Sequence, residues 1–128
     1  MGIFTHMCVG TNDLERAVCF YDAALAPLGI RNLGRFGDQG VSYGRDVPEL
    51  LILRPVNGAP ATASNGGTVG LKAQDRRAVK AFHAAGIAHG GTDAGAPGPR
   101  NAVPHAYGAY LYDPDHNKLC AYCFAADG

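Results

Sequence analysis

Apolar and polar residues alternate along the chain in patterns that predict both strands and helices. Residues 3–9 are short, apolar and partly β-branched, which is typical of a strand. The apolar residues that follow recur at the spacing of an amphipathic helix, at Leu14, Ala17, Val18, Tyr21, Leu25 and Leu28. The polar residues 11–13 can cap this helix by accepting backbone N–H groups of its first turn. Pro27 and Gly29 mark its end.

Three further strands are predicted in the first half of the chain, over residues 31–36, 41–44 and 50–54. Glycines and a turn at residues 46–48 separate them. Residues 54–67 are rich in proline, glycine, alanine and serine and show no periodicity. This stretch is therefore predicted to be a linker.

The second half of the chain repeats this order of elements. A strand is predicted over residues 68–73, and Asp75 can cap a helix with apolar positions at Ala78, Val79, Phe82 and Ala85. Two more strands, 107–112 and 118–124, flank residues 113–117, where proline and the Asp and Asn side chains favour a tight turn. The glycine-rich residues 90–104 show no clear strand pattern. The remaining strand is expected near residues 89–92, or it is missing.

The two halves also match within their helices. The tripeptide Arg-Ala-Val at residues 16–18 recurs at residues 77–79, and each copy follows a capping aspartate. When this alignment of the two halves is extended back to their first strands, Thr68 is the position equivalent to His6. We therefore predict an α+β fold of two tandem βαβββ modules, about 1–57 and about 66–126, within one domain.

Composition and charge exclude some partners and favour others. The chain has 47% hydrophobic and 17% charged residues, an ordinary globular balance. Lys and Arg number 11, as do Asp and Glu, so the net charge is zero and nothing indicates binding to nucleic acid or anionic lipid. Low charge favours self-association, and each module is too small to bury much apolar surface alone. A homodimer is therefore expected.

The sequence also predicts where the protein resides. Its first residues lack the basic and apolar regions of a secretory signal, and no apolar run reaches the roughly 20 residues that a membrane helix needs. We expect a cytoplasmic protein without membrane contact, whose four cysteines are free and by default buried. Cys120 and Cys123 have the spacing of a redox motif, but they lie in a predicted strand rather than at a helix start.

Three stretches of the sequence carry a resemblance to a known family. The first is His6 in a strand, followed by the helix sequence Leu-Glu-Arg-Ala-Val-Cys-Phe-Tyr at 14–21. The second is the helix sequence Ala-Val-Lys-Ala-Phe-His at 78–83, and the third is the hairpin Asp-Pro-Asp-His-Asn at 113–117. Together they resemble the vicinal oxygen chelate superfamily of glyoxalases, bleomycin-resistance proteins and extradiol dioxygenases. The resemblance implies that the two modules form a curved half-barrel cup for a small molecule.

The resemblance also implies a metal site at the first and last strand of each module, where the family commonly has His, Glu or Gln. His6 matches the first position, but the last strand of module one is aliphatic around Leu51. Thr68 occupies the third position, and Cys120 stands where the family usually has glutamate. No firmly held cofactor is expected, although His6 and Cys120 could hold zinc with outside help. Iron, nickel and manganese are the other candidate ions.

His6 and Cys120 also have simpler interpretations. His6 can be a hydrogen-bonded histidine that lines a pocket, and Cys120 can be a small buried apolar residue. On strand parity, both side chains should point into the common cup and approach each other. In the hairpin, His116 replaces the glycine of the family pattern, and histidine is among the residues that tolerate positive φ there.

Other candidate ligand-binding residues lie near the C-terminal end. Residues 94–104 form a glycine- and proline-rich stretch that could close over the cup as a lid. Within it, Arg100 could bind an anionic group through two parallel hydrogen bonds, and His105 follows directly. Both could equally be solvated loop residues.

The tyrosines of the strand 107–112 divide between its two faces. Tyr110 and Tyr112 share one face and Tyr107 takes the other, because side chains alternate along a strand. One face should line the cup and the other should pack under a helix. A phenol in the cup could orient a ligand or donate a proton.

Three functional hypotheses follow from the sequence. The first is a small-molecule binding protein without the full metal site, whose candidate ligand-binding residues are His6, Thr68, Arg100, His105, Tyr110 and Cys120. The second is a metal-dependent lyase, isomerase or dioxygenase that acts on a small oxygen-bearing substrate. The third is a structural member of the family that only dimerises.

Overall fold

The computed structural model describes residues 2–124 as two helices and two four-stranded sheets, which confirms the α+β prediction. Module one contains β1 Met7–Gly10, α1 Leu14–Leu25, β2 Arg31–Phe36, β3 Gly40–Gly44 and β4 Leu50–Leu53. Module two contains β5 Val69–Lys72, α2 Arg76–Ala88, β6 Thr92–Pro99, β7 Tyr107–Tyr112 and β8 Lys118–Cys123. A short 3-10 turn, Ala26–Leu28, follows α1. None of the helices within these residues is long and apolar enough to cross a membrane.

Both modules have the same sheet topology. The strand order is β1-β4-β3-β2 in the first sheet and β5-β8-β7-β6 in the second, and in each the first strand is parallel to the last. Cys8 pairs with Leu51 in one sheet, and Gly70 pairs with Cys120 in the other. The internal repeat predicted from the helices therefore extends to the strands, with Leu51 and Cys120 in equivalent positions.

The helices begin where the capping aspartates predict. The side chain of Asp13 accepts a hydrogen bond from the Arg16 N–H at 3.1 Å, and Asp75 accepts one from the Ala78 N–H at 2.8 Å. Each cap satisfies a backbone donor that the first helical turn leaves free. The two helices pack against each other and cover one face of each sheet.

The core lies between the helices and the covered sheet faces. Its fully buried side chains include Phe20, Tyr21, Phe82, Val41, Ile52, Leu111 and Leu119. Strand alternation sends the intervening residues, such as Leu51 and Cys120, to the opposite face. This second face is open, and the two sheets form the predicted half-barrel cup.

Two strand predictions were wrong in position. The first strand begins at Met7 rather than residue 3, and Ile3 and Phe4 are 89% and 70% exposed. The sixth strand exists but spans Thr92–Pro99 rather than residues 89–92. The expected lid over residues 94–104 is therefore largely a strand of the sheet. Its glycines leave no alternating apolar pattern in the sequence. Glycine is needed there because the side chains of Tyr110 and Arg100 lie close to the backbone at Gly95 and Gly98.

The hairpin between β7 and β8 ties the two modules together. The Asp113 carboxylate accepts hydrogen bonds from the Tyr21 hydroxyl at 2.5 Å and from the Asn117 side chain at 2.9 Å. It also accepts from the backbone N–H groups of Asp115 and Asn117. The Asn117 side chain in turn donates to the Gly10 carbonyl at the end of β1, at 2.9 Å. A buried carboxylate thus links α1 and β1 of module one to the last hairpin of module two.

A second carboxylate of the same hairpin binds the turn between β1 and α1. Asp115 accepts hydrogen bonds from the Thr11 hydroxyl at 2.5 Å and the Asn12 N–H at 2.9 Å, and it forms an ion pair with Arg16. His116 has a φ of 70°, as the sequence predicts for this turn position. We call Asp113, Asp115 and Asn117 the hairpin clamp.

Burial is the largest influence on the pKa of Asp113. Desolvation raises the pKa of Asp113, while its hydrogen bonds from Tyr21, Asn117 and Asp115 act in the opposite direction. The pKa of Tyr21 is also raised, first by burial and then by the neighbouring Asp113 charge. The Tyr21 hydroxyl therefore stays protonated at neutral pH and donates to the Asp113 carboxylate.

We expect Tyr21→Phe to lower the free energy of unfolding by about 1–3 kcal/mol, because it leaves a buried carboxylate with one donor fewer. Tyr43→Phe is the matched control. Its ring is equally buried, but its hydroxyl binds the exposed Asp22, so the loss should be roughly 0.5–1 kcal/mol. Urea unfolding of both variants makes the comparison, and equal losses would show that the clamp has no special weight.

Candidate functional site

The open face of module two carries a pair of phenols. Tyr110 on β7 and Tyr122 on β8 point to this face, and their hydroxyl oxygens lie 2.7 Å apart. Their rings meet edge to face with centroids 5.8 Å apart. Gly108 lies opposite Tyr122 in the sheet, and a Cβ there would stand 2.7 Å from the ring. The glycine therefore allows the Tyr122 ring to lie directly on the strand.

Cys120 points to the same face, where it pairs with Tyr110 across the two strands and lies two residues before Tyr122. It is buried, and its Sγ lies 3.5 Å from the point where a Cβ on Gly70 would stand. Burial raises the pKa of the Cys120 thiol, against the lowering effects of the nearby Tyr110 hydroxyl and of the positive charges of Lys118 and Arg100. The thiol is therefore neutral near pH 7 rather than a thiolate.

Two cations surround Tyr110. The guanidinium of Arg100 lies 5.6 Å from its ring centroid and donates to the carbonyls of Ala96, Gly98 and Pro99 at 2.9, 2.9 and 3.2 Å. The Arg100 guanidinium, which the sequence suggested as an anion-binding group, is thus hydrogen-bonded to backbone carbonyls of β6. The ammonium of Lys118 lies 5.2 Å from the same ring. Lys118 was missed in the sequence, although its alternation with Cys120 and Tyr122 places it on the same face.

The two faces of β7 are occupied as the alternation predicts. Tyr110 and Tyr112 share the open face, and Tyr107 lies on the opposite face. Tyr107 is buried beneath α2, where the Arg76 guanidinium lies 4.8 Å from its ring centroid. Tyr112 contacts His116 edge to face. The sequence could not tell which of the two faces would line the cup.

A cavity of about 240 Å³ lies between the first strands of the two modules. Residues 4–7, the neighbouring ends of β3 and β4, and residues 69–72 line it. His6 belongs to this lining, is exposed, and has its Nδ1 3.0 Å from the Thr5 hydroxyl. A second groove of about 310 Å³ is lined by Gly70, Leu71, Lys72, Tyr122 and Phe124. Strand β5 is therefore a wall of both spaces.

The predicted site residues are partly brought together by this arrangement. His6 lines the cavity on which Gly70 also borders, and Gly70 pairs with Cys120. This places His6 and Cys120 on either side of β5 without showing a direct contact, so their shared site stays a prediction. Thr68 is exposed immediately before β5. His105 is exposed in the turn after β6, with a φ of 62°.

The four positions suggested for a metal do not supply a normal ligand set. Within residues 2–124, no three His, Cys, Asp or Glu side chains are close enough together to hold a metal ion. Leu51 and Thr68 offer no ligand of normal strength, and Cys120 is a neutral thiol. The cysteines among these residues are free, with Cys120 and Cys123 buried and, against the default expectation, Cys8 and Cys19 exposed.

Comparison with known proteins identifies the family. No family model matches the sequence, and the comparison with curated proteins gives no match either. Among solved structures, the chain is similar to a glyoxalase/bleomycin resistance protein from Albidiferax ferrireducens T118, with 46% identity and a TM-score of 0.85 over 94% of this chain and 98% of the other.

More distant structures share the fold. A glyoxalase/bleomycin resistance protein/dioxygenase family enzyme from Burkholderia phytofirmans PsJN matches with 18% identity and a TM-score of 0.73, over 94% of this chain and 98% of the other. A glyoxalase-related enzyme from Fulvimarina pelagi matches with 18% identity and a TM-score of 0.71, over 100% and 96%. On the first of these three similarities, which spans nearly all of both chains, the protein belongs to the glyoxalase/bleomycin resistance protein family.

Proposed function

We propose that the protein binds a small organic molecule in the cup without the family's full metal site. The observation that carries this proposal is the group of phenols and the thiol at Tyr110, Tyr122 and Cys120 on the open face of module two. Small-molecule sites usually combine apolar walls with a few convergent polar groups. This face supplies the polar groups.

Module one supplies the apolar wall. Leu51 and Leu53 alternate onto the open face of β4, and both are only partly buried. Phe36 and Leu53 cover Gly40, where a Cβ would stand 2.9 and 2.6 Å from their side chains. The equivalent positions Leu51 and Cys120 thus differ in chemistry, so the cup has an aliphatic half in module one and a polar half in module two.

The main alternative is a metal-dependent lyase, isomerase or dioxygenase. That activity needs a firmly held ion with open coordination positions, and catalytic zinc sites ordinarily have three protein ligands. His6 and Cys120 together would provide two. The hypothesis that the protein binds a small molecule without metal needs no metal-coordinating group beyond the side chains already present.

We expect the protein, loaded with excess zinc, iron, nickel or manganese and then desalted, to retain well below one equivalent of metal per chain. Too few ligands converge among the described residues to hold an ion through desalting. Elemental analysis by mass spectrometry gives the content, and His6→Ala should leave it unchanged. Stoichiometric metal that His6→Ala removes would contradict the proposal and favour the enzyme alternative.

A neutral fluorescent probe tests binding in the cup directly. We expect N-phenyl-1-naphthylamine to bind at one site per chain, with an affinity that excess EDTA does not change. Gly70→Phe should weaken it about tenfold or more, because the new ring fills the space beside Cys120 where a Cβ has only ordinary contacts.

Ala63→Phe is the matched control, since it adds the same ring to an exposed position of the linker. It should leave the affinity unchanged. Equal effects of the two substitutions would place the probe elsewhere, and loss of binding in EDTA would show that a metal is required.

We also propose that the chain is a homodimer. Its zero net charge and small modules favour association, and Ile3 and Phe4 are exposed beside the edge strand β1. Sedimentation velocity should show a dimer at micromolar concentration that Phe4→Ser weakens. Val56→Ser, at a 95% exposed linker position, should have no effect. A monomer at high micromolar concentration would contradict the dimer.

A further inference from the structure

We infer that the ligand carries an anionic oxygen group, bound by the Lys118 ammonium and the phenol pair of Tyr110 and Tyr122. The inference rests on the proposed function and names the class of molecule that the cup selects. Carboxylates, sulfonates, phosphates and enolates share this chemistry. The remainder of the ligand is apolar and flat.

The position of Lys118 supplies the first argument. Lys118, Cys120 and Tyr122 alternate along β8 and therefore share its open face. The Lys118 side chain is half-buried, and its ammonium is held beside the Tyr110 ring. Within residues 2–124, no carboxylate lies within 4 Å of this ammonium. Its three N–H donors and its charge are thus presented to the cup.

The phenol pair supplies the second argument. Either hydroxyl can donate in the hydrogen bond between Tyr110 and Tyr122, and when Tyr110 donates, the Tyr122 proton is left for an acceptor in the cup. Donating this hydrogen bond to Tyr122, followed by burial, raises the pKa of Tyr110 to about 12, so this phenol stays protonated at neutral pH. The cluster therefore offers donors and positive charge, and the complementary partner is a negatively charged oxygen.

Arg100 strengthens the positive field without taking the anion itself. Its guanidinium donates to three backbone carbonyls, which fixes it above Tyr110. The positive charges of Arg100 and Lys118 both lower the pKa of Cys120, which shows that both reach the same face of the sheet. An anion at the phenols would thus meet one cation that is free to bind and one that is held in place.

The groove next to the phenols accounts for the rest of the ligand. Tyr122 and Phe124 stack with ring centroids 5.9 Å apart and an angle of 14° between their planes. With Gly70 and Leu71 they line the groove of about 310 Å³. Its walls are flat and largely apolar, which suits a planar aromatic body. Lys72 lies at the same groove and adds a further cation.

Two dyes with the same aromatic skeleton separate charge from apolar fit. 1-Anilinonaphthalene-8-sulfonate carries a sulfonate that N-phenyl-1-naphthylamine lacks. Lys118→Gln should weaken binding of the sulfonate dye about tenfold, because a charge-assisted contact is lost, and should leave the neutral dye unchanged. Lys118→Arg keeps the charge and should retain most of the affinity. Fluorescence titration measures all of these affinities.

Lys80→Gln is the matched control for net charge. Lys80 is exposed on α2, beside Tyr107 on the opposite face of the sheet, and its loss changes the total charge by the same amount. It should affect neither dye. Circular dichroism and unfolding curves confirm that each variant is folded.

The possible results distinguish this inference from the proposed function. If the neutral dye binds in the cup but Lys118→Gln and Lys80→Gln weaken the sulfonate dye equally, the anionic class is wrong and the binding function stands. If the two dyes bind equally well to every variant, the anionic class is again wrong. If neither dye binds the folded protein, both the function and the inference fail.

Discussion

The geometry of the cup depends on the Asp113 carboxylate, which accepts four hydrogen bonds in a site that is almost fully closed to water. Three of its donors belong to its own hairpin, and the fourth is the Tyr21 hydroxyl of α1. Asn117 extends the contact to the Gly10 carbonyl. Because β1 ends at Gly10 and β8 begins directly after Asn117, the clamp fixes the first strand of one module relative to the last strand of the other. A buried carboxylate is tolerable when hydrogen bonds replace its hydration, and here they do.

Glycine shapes the polar half of the cup. Gly108 lies beneath the Tyr122 ring, and Gly95 and Gly98 on β6 lie beneath Tyr110 and Arg100. A Cβ at Gly108 would come within 3.0 Å of the Tyr122 ring, so the aromatic layer requires the absence of side chains there. The large side chains of β7 and β8 therefore rest directly on neighbouring backbone. This packing brings two phenols, a thiol and two cations together on a small sheet.

The sequence predicted the elements whose signals are local. Periodicity and capping aspartates located both helices, and the turn residues located the last hairpin, including the positive φ of His116. β6 was misplaced because its glycines and prolines show no alternating pattern. Its position is set by pairing with β7, a contact between strands that no local pattern reveals. The start of β1 was also missed, since apolar residues 3–4 look like strand residues although they lie exposed outside the sheet.

The site was predicted less well than the fold, for a related reason. Alternation along β7 and β8 correctly separated Tyr110 from Tyr107, because it is a local property of a strand. The hydrogen bonds of Arg100 and the exposure of Lys118 to the cup depend on tertiary contacts. A single lysine in a strand resembles any solvated surface residue until the neighbouring strand is known to carry a phenol beside it.

The two modules illustrate how a duplicated fold can change its chemistry at equivalent positions. Leu51 and Cys120 occupy the same place in their sheets, yet one belongs to an apolar wall and the other lies among hydrogen-bond donors. A divalent ion would polarise a ligand oxygen strongly, whereas an ammonium and a phenol would hold the same oxygen with a weaker field. Donors of this strength can orient a ligand and select its charge, but they do not replace a Lewis acid in stabilising a developing oxyanion. The proposed exchange of ion for side chains therefore favours recognition over catalysis.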